Sequence, residues 1–215
     1  MANMSKTGKL TKGTAASARR RKGRSTSNQR QLQWLLIGAA ILFIGVIAII
    51  IYVNIRGAQP VAGETGLNSQ GNNHIETGQL SPITYNSTPP TSGPHYNSIA
   101  SWGIYEEPLP YELLLHNLED GGVVIYYQCP EGCPETVEAL KEIVTPYRDR
   151  DRHLVLLPND PTWTDAIGRT LHKDMEAKIA VTAWQQILKL EEVDADRIRA
   201  FIERYEGRDH HVAGG

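Results

Sequence analysis

The sequence predicts an α/β protein with one membrane-spanning helix near its N-terminus. Three observations predict it: an unbroken apolar run at residues 35–53, a proline-rich stretch at residues 81–110, and short apolar runs that alternate with helix-like segments from residue 123 onwards. Short buried strands separated by helical patterns are typical of βαβ units and a parallel sheet. We therefore expect one folded α/β domain in addition to the membrane helix.

The apolar run comprises nineteen uncharged, almost wholly apolar residues. About 20 such residues span the hydrocarbon core of a bilayer, and Trp34 and Tyr52 lie where aromatic rings favour the membrane interface. These features place the transmembrane helix at residues 34–54. A cleaved signal peptide is the competing interpretation, but its apolar core is usually only about 7 to 15 residues long.

Charge predicts the orientation of this helix. Nine Lys and Arg residues and no acidic residue precede the apolar run. The positive-inside rule therefore predicts that residues 1–33 are cytoplasmic and that the C-terminal part is extracytoplasmic. The N-terminal arm is rich in Ser, Thr, Gly and Arg without an apolar period, which predicts a disordered segment that contacts anionic lipid head groups.

The part of the chain after the helix is acidic. It holds 13 of the 22 basic residues and all 24 acidic ones, a formal net charge of −11. This charge argues against nucleic acid as a partner and is compatible with cations or a basic protein surface. Residues 55–80 are polar and aperiodic, as in a flexible linker. The α/β domain is assigned to residues 81–208, and residues 209–215 to a tail whose paired histidines are expected to be solvated.

The first third of this domain, residues 81–110, contains six prolines. Proline fixes its own φ and biases the preceding residue towards extended conformations, so we predict an irregular, packed loop region. His95 and Trp102 in this region indicate a packed site or a surface that faces a partner. The alternative is that His95 only satisfies buried backbone carbonyls beneath an aromatic roof.

The rest of the domain shows regular patterns. The apolar run at residues 123–127, after the Gly121-Gly122 turn, predicts a central strand covered on both faces. Apolar residues at helical spacing predict a helix that starts at Pro134 and ends at Pro146. Further strands are predicted at residues 152–158, 178–184 and 187–190, and a closing helix at residues 194–205.

The only two cysteines, Cys129 and Cys133, lie directly after the first predicted strand and before the first predicted helix of the domain. Residues four apart share a helical face, and a helix N-terminus favours thiolate over thiol. The pair can close a disulfide, bind a soft metal or exchange thiols. A disulfide suits an oxidising compartment and needs no further partner.

Two thiolates and one imidazole form a soft donor set that suits copper. A structural zinc site would normally require four protein ligands, which is harder to assemble here. Met175 is a candidate for a weak further contact, although a lone methionine is more often part of the core. The candidate imidazoles are those of His95, His116, His153 and His172, and the predicted metal ligands are Cys129, Cys133, His116, His95 and Met175.

Two resemblances arise from these residues. The domain contains three separated motifs, Thr91-Ser92-Gly93-Pro94-His95-Tyr96, His116-Asn117-Leu118-Glu119 followed by Gly121-Gly122, and residues 177–184. The set resembles a bacterial family of membrane-anchored proteins defined as a domain of unknown function. Residues 126–135 are similar to the strand, Cys-Pro-x-x-Cys-Pro turn and helix of the Sco-type copper chaperones. That second resemblance implies a thioredoxin-like fold and copper bound at Cys129 and Cys133.

No pattern in the sequence predicts an enzyme. There is no Gly-x-Ser-x-Gly elbow, phosphate-binding loop, His-Glu-x-x-His or dinucleotide fingerprint. The first functional hypothesis is a copper-binding or thiol-active protein, such as an assembly factor for a membrane electron-transfer complex. The second is a noncatalytic, membrane-tethered interaction module or accessory subunit with a structural disulfide. Scattered acidic residues are expected to lie on solvated faces or in turns; examples are Glu106, Glu107, Glu119 and Asp120.

Overall fold

The computed structural model describes residues 25–211, apart from the side chains of residues 25–27 and 53–58. Most of the predicted cytoplasmic arm, residues 1–24, and the last four residues of the predicted tail lie outside the described residues. The chain divides into two compact units, Met1–Arg56 and Gly57–Gly215.

The N-terminal unit contains the predicted apolar helix. This helix, α1 (Ser25–Ala58), is 34 residues long and begins nine residues before the predicted anchor. It extends beyond the apolar run because residues 25–58 contain no proline, the residue that breaks a helix interior. Its segment Asn28–Tyr52 is long and apolar enough to cross a membrane. The helix is therefore compatible with a single-pass anchor or with a signal sequence.

The C-terminal unit is a mixed α/β structure, as predicted. Its helices are α2 (Tyr111–Glu119), α3 (Pro134–Arg148) and α4 (Ala195–Tyr205). Its strands are β1 (Glu64–Gly66), β2 (His74–Ile75), β3 (His95–Tyr96), β4 (Gly103–Ile104), β5 (Val123–Tyr127), β6 (Leu154–Pro158), β7 (Ile179–Ala183) and β8 (Gln186–Leu190).

Six strands form one sheet in the order β1-β8-β7-β5-β6-β4. Strands β5 and β6 are parallel and are joined by α3, which makes a βαβ unit. Strand β7 runs antiparallel to β5 and forms a hairpin with β8. Strands β2 and β3 lie apart from this sheet and form a short parallel ladder of their own.

The central strand β5 is covered on both faces. Successive side chains of a strand point to opposite faces, so Val123 and Ile125 pack in the core beneath α3 and α4. Val124 and Tyr126 pack in a second core that includes residues of α2. The resulting three layers place α2 on the opposite side of the sheet from α3 and α4.

Several segments differ from the sequence predictions. Helix α2 was not predicted, and the Pro-rich region at residues 81–110, predicted to be irregular, contains the short strands β3 and β4. The predicted linker at residues 55–80 contains β1 and β2, and Leu67 N donates to Gln185 O at 2.8 Å. Main-chain pairing at a sheet edge requires no apolar period, so composition alone did not reveal these strands. Helix α3 continues through Pro146 to Arg148. In the last turn a proline removes a single hydrogen bond, which the helix tolerates here.

Gly122, which joins α2 to β5, has no room for a side chain. A Cβ atom there would lie 2.5 Å from Asn117 O and 2.6 Å from the Trp102 ring. We expect Gly122→Ala to lower the free energy of unfolding of the full-length protein in detergent by about 1 to 3 kcal/mol in chemical denaturation. Gly66→Ala is the control, because its Cβ would meet Gln186 at 3.4 Å. Equal losses in both variants would contradict the close packing at Gly122.

Candidate metal centre

Three histidines and one glutamate converge where β2, β3 and α2 meet. One ligand atom from each of His74, His95, His116 and Glu119 lies within 4.8 Å of the others. A tetrahedral ion with bonds of about 2.1 Å separates its ligand atoms by about 3.4 Å. The four side chains therefore need only small inward movements to bind one ion.

Pairing of short elements brings these residues together. In the β2–β3 ladder His74 lies opposite His95, and their ring centroids are 4.9 Å apart. His116 and Glu119 are three residues apart on α2 and therefore share one face of that helix. The His116 ring stacks on the His74 ring at 5.1 Å. Each of the three elements thus contributes at least one candidate ligand.

The loop that carries His95 is buried and held from several sides. Residues 91–96 are all buried. Gly93 N donates to Gly71 O at 2.9 Å, and Tyr85 Oη donates to Pro94 O at 2.6 Å. Gly93 adopts a φ of 123°, which favours glycine, and a Cβ there would lie 2.9 Å from the Tyr85 ring. The Pro-Gly loop is therefore a packed wall of the site.

The hydrogen bonds of His95 determine which nitrogen faces the site. Its Nδ1 lies 2.9 Å from Gly93 O, and a carbonyl can only accept, so Nδ1 carries the proton. Burial lowers the pKa of His95 below its ordinary value, which favours the neutral ring. Nε2 then presents a lone pair to Glu119 Oε2 at 2.9 Å. Two lone pairs at this distance require a cation between them, either a shared proton or a metal ion.

His116 is held in the same way. Its Nδ1 donates to Tyr96 O at 2.7 Å, which leaves Nε2 as the free nitrogen. That Nε2 is 3.8 Å from Asp120 Oδ1. Metal-ligating histidines usually donate their other ring N–H to a carbonyl or carboxylate, which fixes the tautomer and the ring orientation. Both His95 and His116 show this arrangement.

Glu119 is buried, contrary to the expectation that it lies on a solvated face. Its side chain is 1 % exposed, and its Oε1 accepts a hydrogen bond from Asn72 Nδ2 at 2.8 Å. A buried carboxylate is unfavourable unless it is paired or binds a cation. Local patterning did not identify Glu119 or His74, and His74 fell within the predicted linker. The spacing of His116 and Glu119 on one helix face was the available signal for the glutamate.

The C-terminal segment also reaches this site. His210 N donates to Glu119 O at 2.8 Å, and His211 Nε2 lies 3.6 Å from Asp120 Oδ1. His211, His116 and Asp120 form a second group of candidate ligands. Residues 209–211 of the predicted tail therefore contact the domain, although the side chains of Asp209 and His211 are exposed.

The cysteines lie elsewhere. Cys129 and Cys133 form a disulfide with Cα atoms 5.7 Å apart, and Cys133 is the N-cap of α3. Among residues 25–211, no group of three or more candidate ligands includes either cysteine. The side chain of Met175 is fully buried in the apolar core on the α2 side of the sheet. The five predicted ligands therefore do not form one site, and only His95 and His116 meet.

The two remaining candidate histidines pack against aromatic rings. His153 stacks on Trp102 with ring centroids 4.6 Å apart. His172 stacks on Tyr111 at 4.3 Å, and its Nε2 donates to Leu109 O at 2.8 Å. Neither histidine belongs to a ligand group within the described part of the chain.

Among known proteins, the chain matches a family model. Neither the curated proteins nor the solved structures yielded a match to this chain. A family model, described as "Protein of unknown function (DUF3105)", matches residues 74–214. The matched range begins at His74 and includes His95, His116, Glu119 and His211. Because the match covers most of the chain, the protein belongs to the DUF3105 family.

Proposed function

We propose that this protein is a membrane-anchored, extracytoplasmic binder of a divalent transition metal. The observation that carries the proposal is the convergence of three imidazoles and a buried carboxylate. In particular, His95 Nε2 lies 2.9 Å from Glu119 Oε2, a contact that needs a cation between the two atoms, and a metal ion can take the place of a shared proton there.

The donor set selects the class of metal. Imidazole nitrogens suit zinc, copper, nickel and iron, whereas Cu⁺ favours thiolate and thioether ligands. Since the cysteines are joined in a disulfide, we propose Cu²⁺ or Zn²⁺ at the histidine cluster. Copper thus stays in the proposal, but it is bound by His74, His95, His116 and Glu119 in place of sulfur.

Two features support an extracytoplasmic, membrane-tethered location. Nine Lys and Arg residues and no acidic residue precede the apolar run, which favours a cytoplasmic N-terminus by the positive-inside rule. Disulfides persist mainly in oxidising compartments, so the Cys129–Cys133 bond fits a domain outside the cytoplasm.

We also propose that the domain is thioredoxin-like. The support is the order β6-β5-β7-β8, with α3 between the parallel strands and α4 after the hairpin, which is the arrangement of thioredoxin-like folds.

His74 is the most exposed of the four proposed ligands. Its side chain is 42 % exposed, so an ion can enter and leave the site beside it. A centre that can release its ion suits a carrier that supplies a membrane electron-transfer complex.

Metal titration of the full-length protein in mild detergent tests this function. After removal of metal with a chelator, we expect about one Zn²⁺ or Cu²⁺ to bind tightly per chain. His95→Gln and His116→Gln should abolish tight binding, because each removes an imidazole nitrogen that the variant cannot replace. His153→Gln is the matched control, since His153 stacks on Trp102 outside the cluster.

A second variant separates the histidine centre from a sulfur centre. Cys129→Ser with Cys133→Ser should retain one tightly bound ion. Wild-type binding by His95→Gln, or loss of the ion only in the cysteine variant, would overturn the proposed centre. A wild-type protein that binds no ion would favour the interaction module with a structural disulfide.

A further inference from the structure

The C-terminal segment formed by residues 207–211 crosses the end of α2 beside the metal centre. Gly207 N donates to Gly121 O at 2.8 Å, and His210 N donates to Glu119 O at 2.8 Å. These two main-chain bonds fix the course of the segment. They place His211 Nε2 3.7 Å from Glu119 Oε2, the carboxylate oxygen that also faces His95 and His74.

Close packing at Gly121 supports this course. Gly121 has a φ of 78°, and a Cβ atom there would lie 2.7 to 2.8 Å from three backbone atoms of Arg208. Contact this close is possible only because residue 121 has no side chain. The backbone of the segment at Arg208 therefore packs directly against the end of α2, just before His210 and His211.

The His211 ring is oriented as a ligand would be. Asp209 Oδ1 lies 2.7 Å from His211 Nδ1 and 2.8 Å from the His211 amide nitrogen. A carboxylate only accepts, so Nδ1 donates and Nε2 is left to bind a cation. A carboxylate behind a histidine is a common support for metal-ligating imidazoles.

The adjacent histidine, His210, faces away from the candidate metal centre, whereas His211 faces towards it. The His210 ring stacks on Trp184 with centroids 6.3 Å apart and belongs to neither ligand group of the described chain. Two neighbouring residues of the same type thus occupy different environments. This difference supplies a matched pair of variants.

We propose that His211 is a further ligand of the ion held by His74, His95, His116 and Glu119, so that metal binding fastens the C-terminal segment to α2. This inference rests on the proposed function. It adds a fourth imidazole, which comes from a segment held mainly by two main-chain hydrogen bonds. Because the His211 side chain is 46 % exposed, it can detach to release the ion while the buried ligands stay in place.

The test compares His211→Gln with His210→Gln in the full-length protein, with Zn²⁺ and Cu²⁺ as probes. We expect His211→Gln to weaken binding by about 10- to 100-fold. It should also remove one nitrogen from the hyperfine pattern of bound Cu²⁺ in electron paramagnetic resonance. His210→Gln should match the wild type in both measurements.

Hydrogen exchange gives an independent measurement. Zn²⁺ should slow exchange of the backbone amide of residue 210 in the wild type and in His210→Gln, but not in His211→Gln. If His211→Gln matches the wild type in affinity, spectrum and exchange while His116→Gln loses the ion, the inference falls and the proposed function stands. Two ions in the wild type, with one lost in His211→Gln, would overturn the single centre in favour of a second site at Asp120. Absence of binding in the wild type would remove both proposals.

Discussion

Saturating Zn²⁺ should raise the thermal unfolding midpoint of the full-length protein by about 8 to 16 °C. An ion that binds only the folded state adds RT ln(1 + [L]/Kd) to the free energy of unfolding, or about 4 kcal/mol at a free concentration about 1,000 times Kd. For a domain of this size each kcal/mol shifts the midpoint by about 2 to 4 °C. Binding is selective for the folded state because His74, His95 and Glu119 lie on three elements that only the fold brings together.

Two variants make this prediction specific. His116→Gln should lose nearly all of the shift, since it removes a ligand from α2. Asn72→Ala should lose part of it, because Asn72 Nδ2 orients Glu119 at 2.8 Å and loss of such support lowers metal affinity by about 10- to 100-fold. A tenfold weaker affinity removes about 1.4 kcal/mol of the stabilisation. An equal rise in the wild type and in His116→Gln would contradict binding at this cluster.

The main elements were predictable because burial leaves a local pattern in the sequence. Strand β5 is covered on both faces and therefore reads as a continuous apolar run. Helix α4 carries apolar residues at helical spacing and is capped by Asp194, whose side chain accepts from Arg197 N. Strands β1 and β2 left no such pattern, because two or three residues paired through the backbone need no particular side chains.

The candidate site was predictable only in part. His95 and His116 stand in conspicuous motifs, but their partners come from distant segments: His74 through the β2–β3 ladder and His211 through the seating of the C-terminal segment. Contacts between residues far apart in sequence leave no local spacing to detect. The cysteine pair is the opposite case: its spacing is conspicuous in the sequence, but a disulfide between the two cysteines explains it without any histidine.

Lowering the pH from 7 to 4 should remove about 3 kcal/mol of stability through His172 alone. This side chain is fully buried, and burial lowers its pKa from 6.5 to about 4. Both ring nitrogens are used in the neutral form: Nδ1 accepts from Asp160 N at 3.2 Å and Nε2 donates to Leu109 O at 2.8 Å. A second ring proton would therefore meet the Asp160 N–H.

The sign follows from which state binds the proton first. As the pH falls below about 6.5, unfolded chains protonate His172 while the folded chain does not, so the unfolded state is favoured. The stabilisation by neutral His172 is fully present above that pH and is lost as the pH falls towards 4. About 2 kcal/mol should already be lost at pH 5.

Urea denaturation of the chelator-treated, full-length protein at pH 7 and pH 5 measures this loss. In His172→Gln the amide oxygen can accept and the amide nitrogen can donate, but the side chain does not titrate. The loss between the two pH values should therefore be about 2 kcal/mol smaller in the variant than in the wild type. Carboxylates and the other histidines are common to both proteins, so their contributions cancel in the comparison. Equal losses in the two proteins would contradict the prediction, because they would show that the pKa of His172 is the same in the folded and unfolded chains.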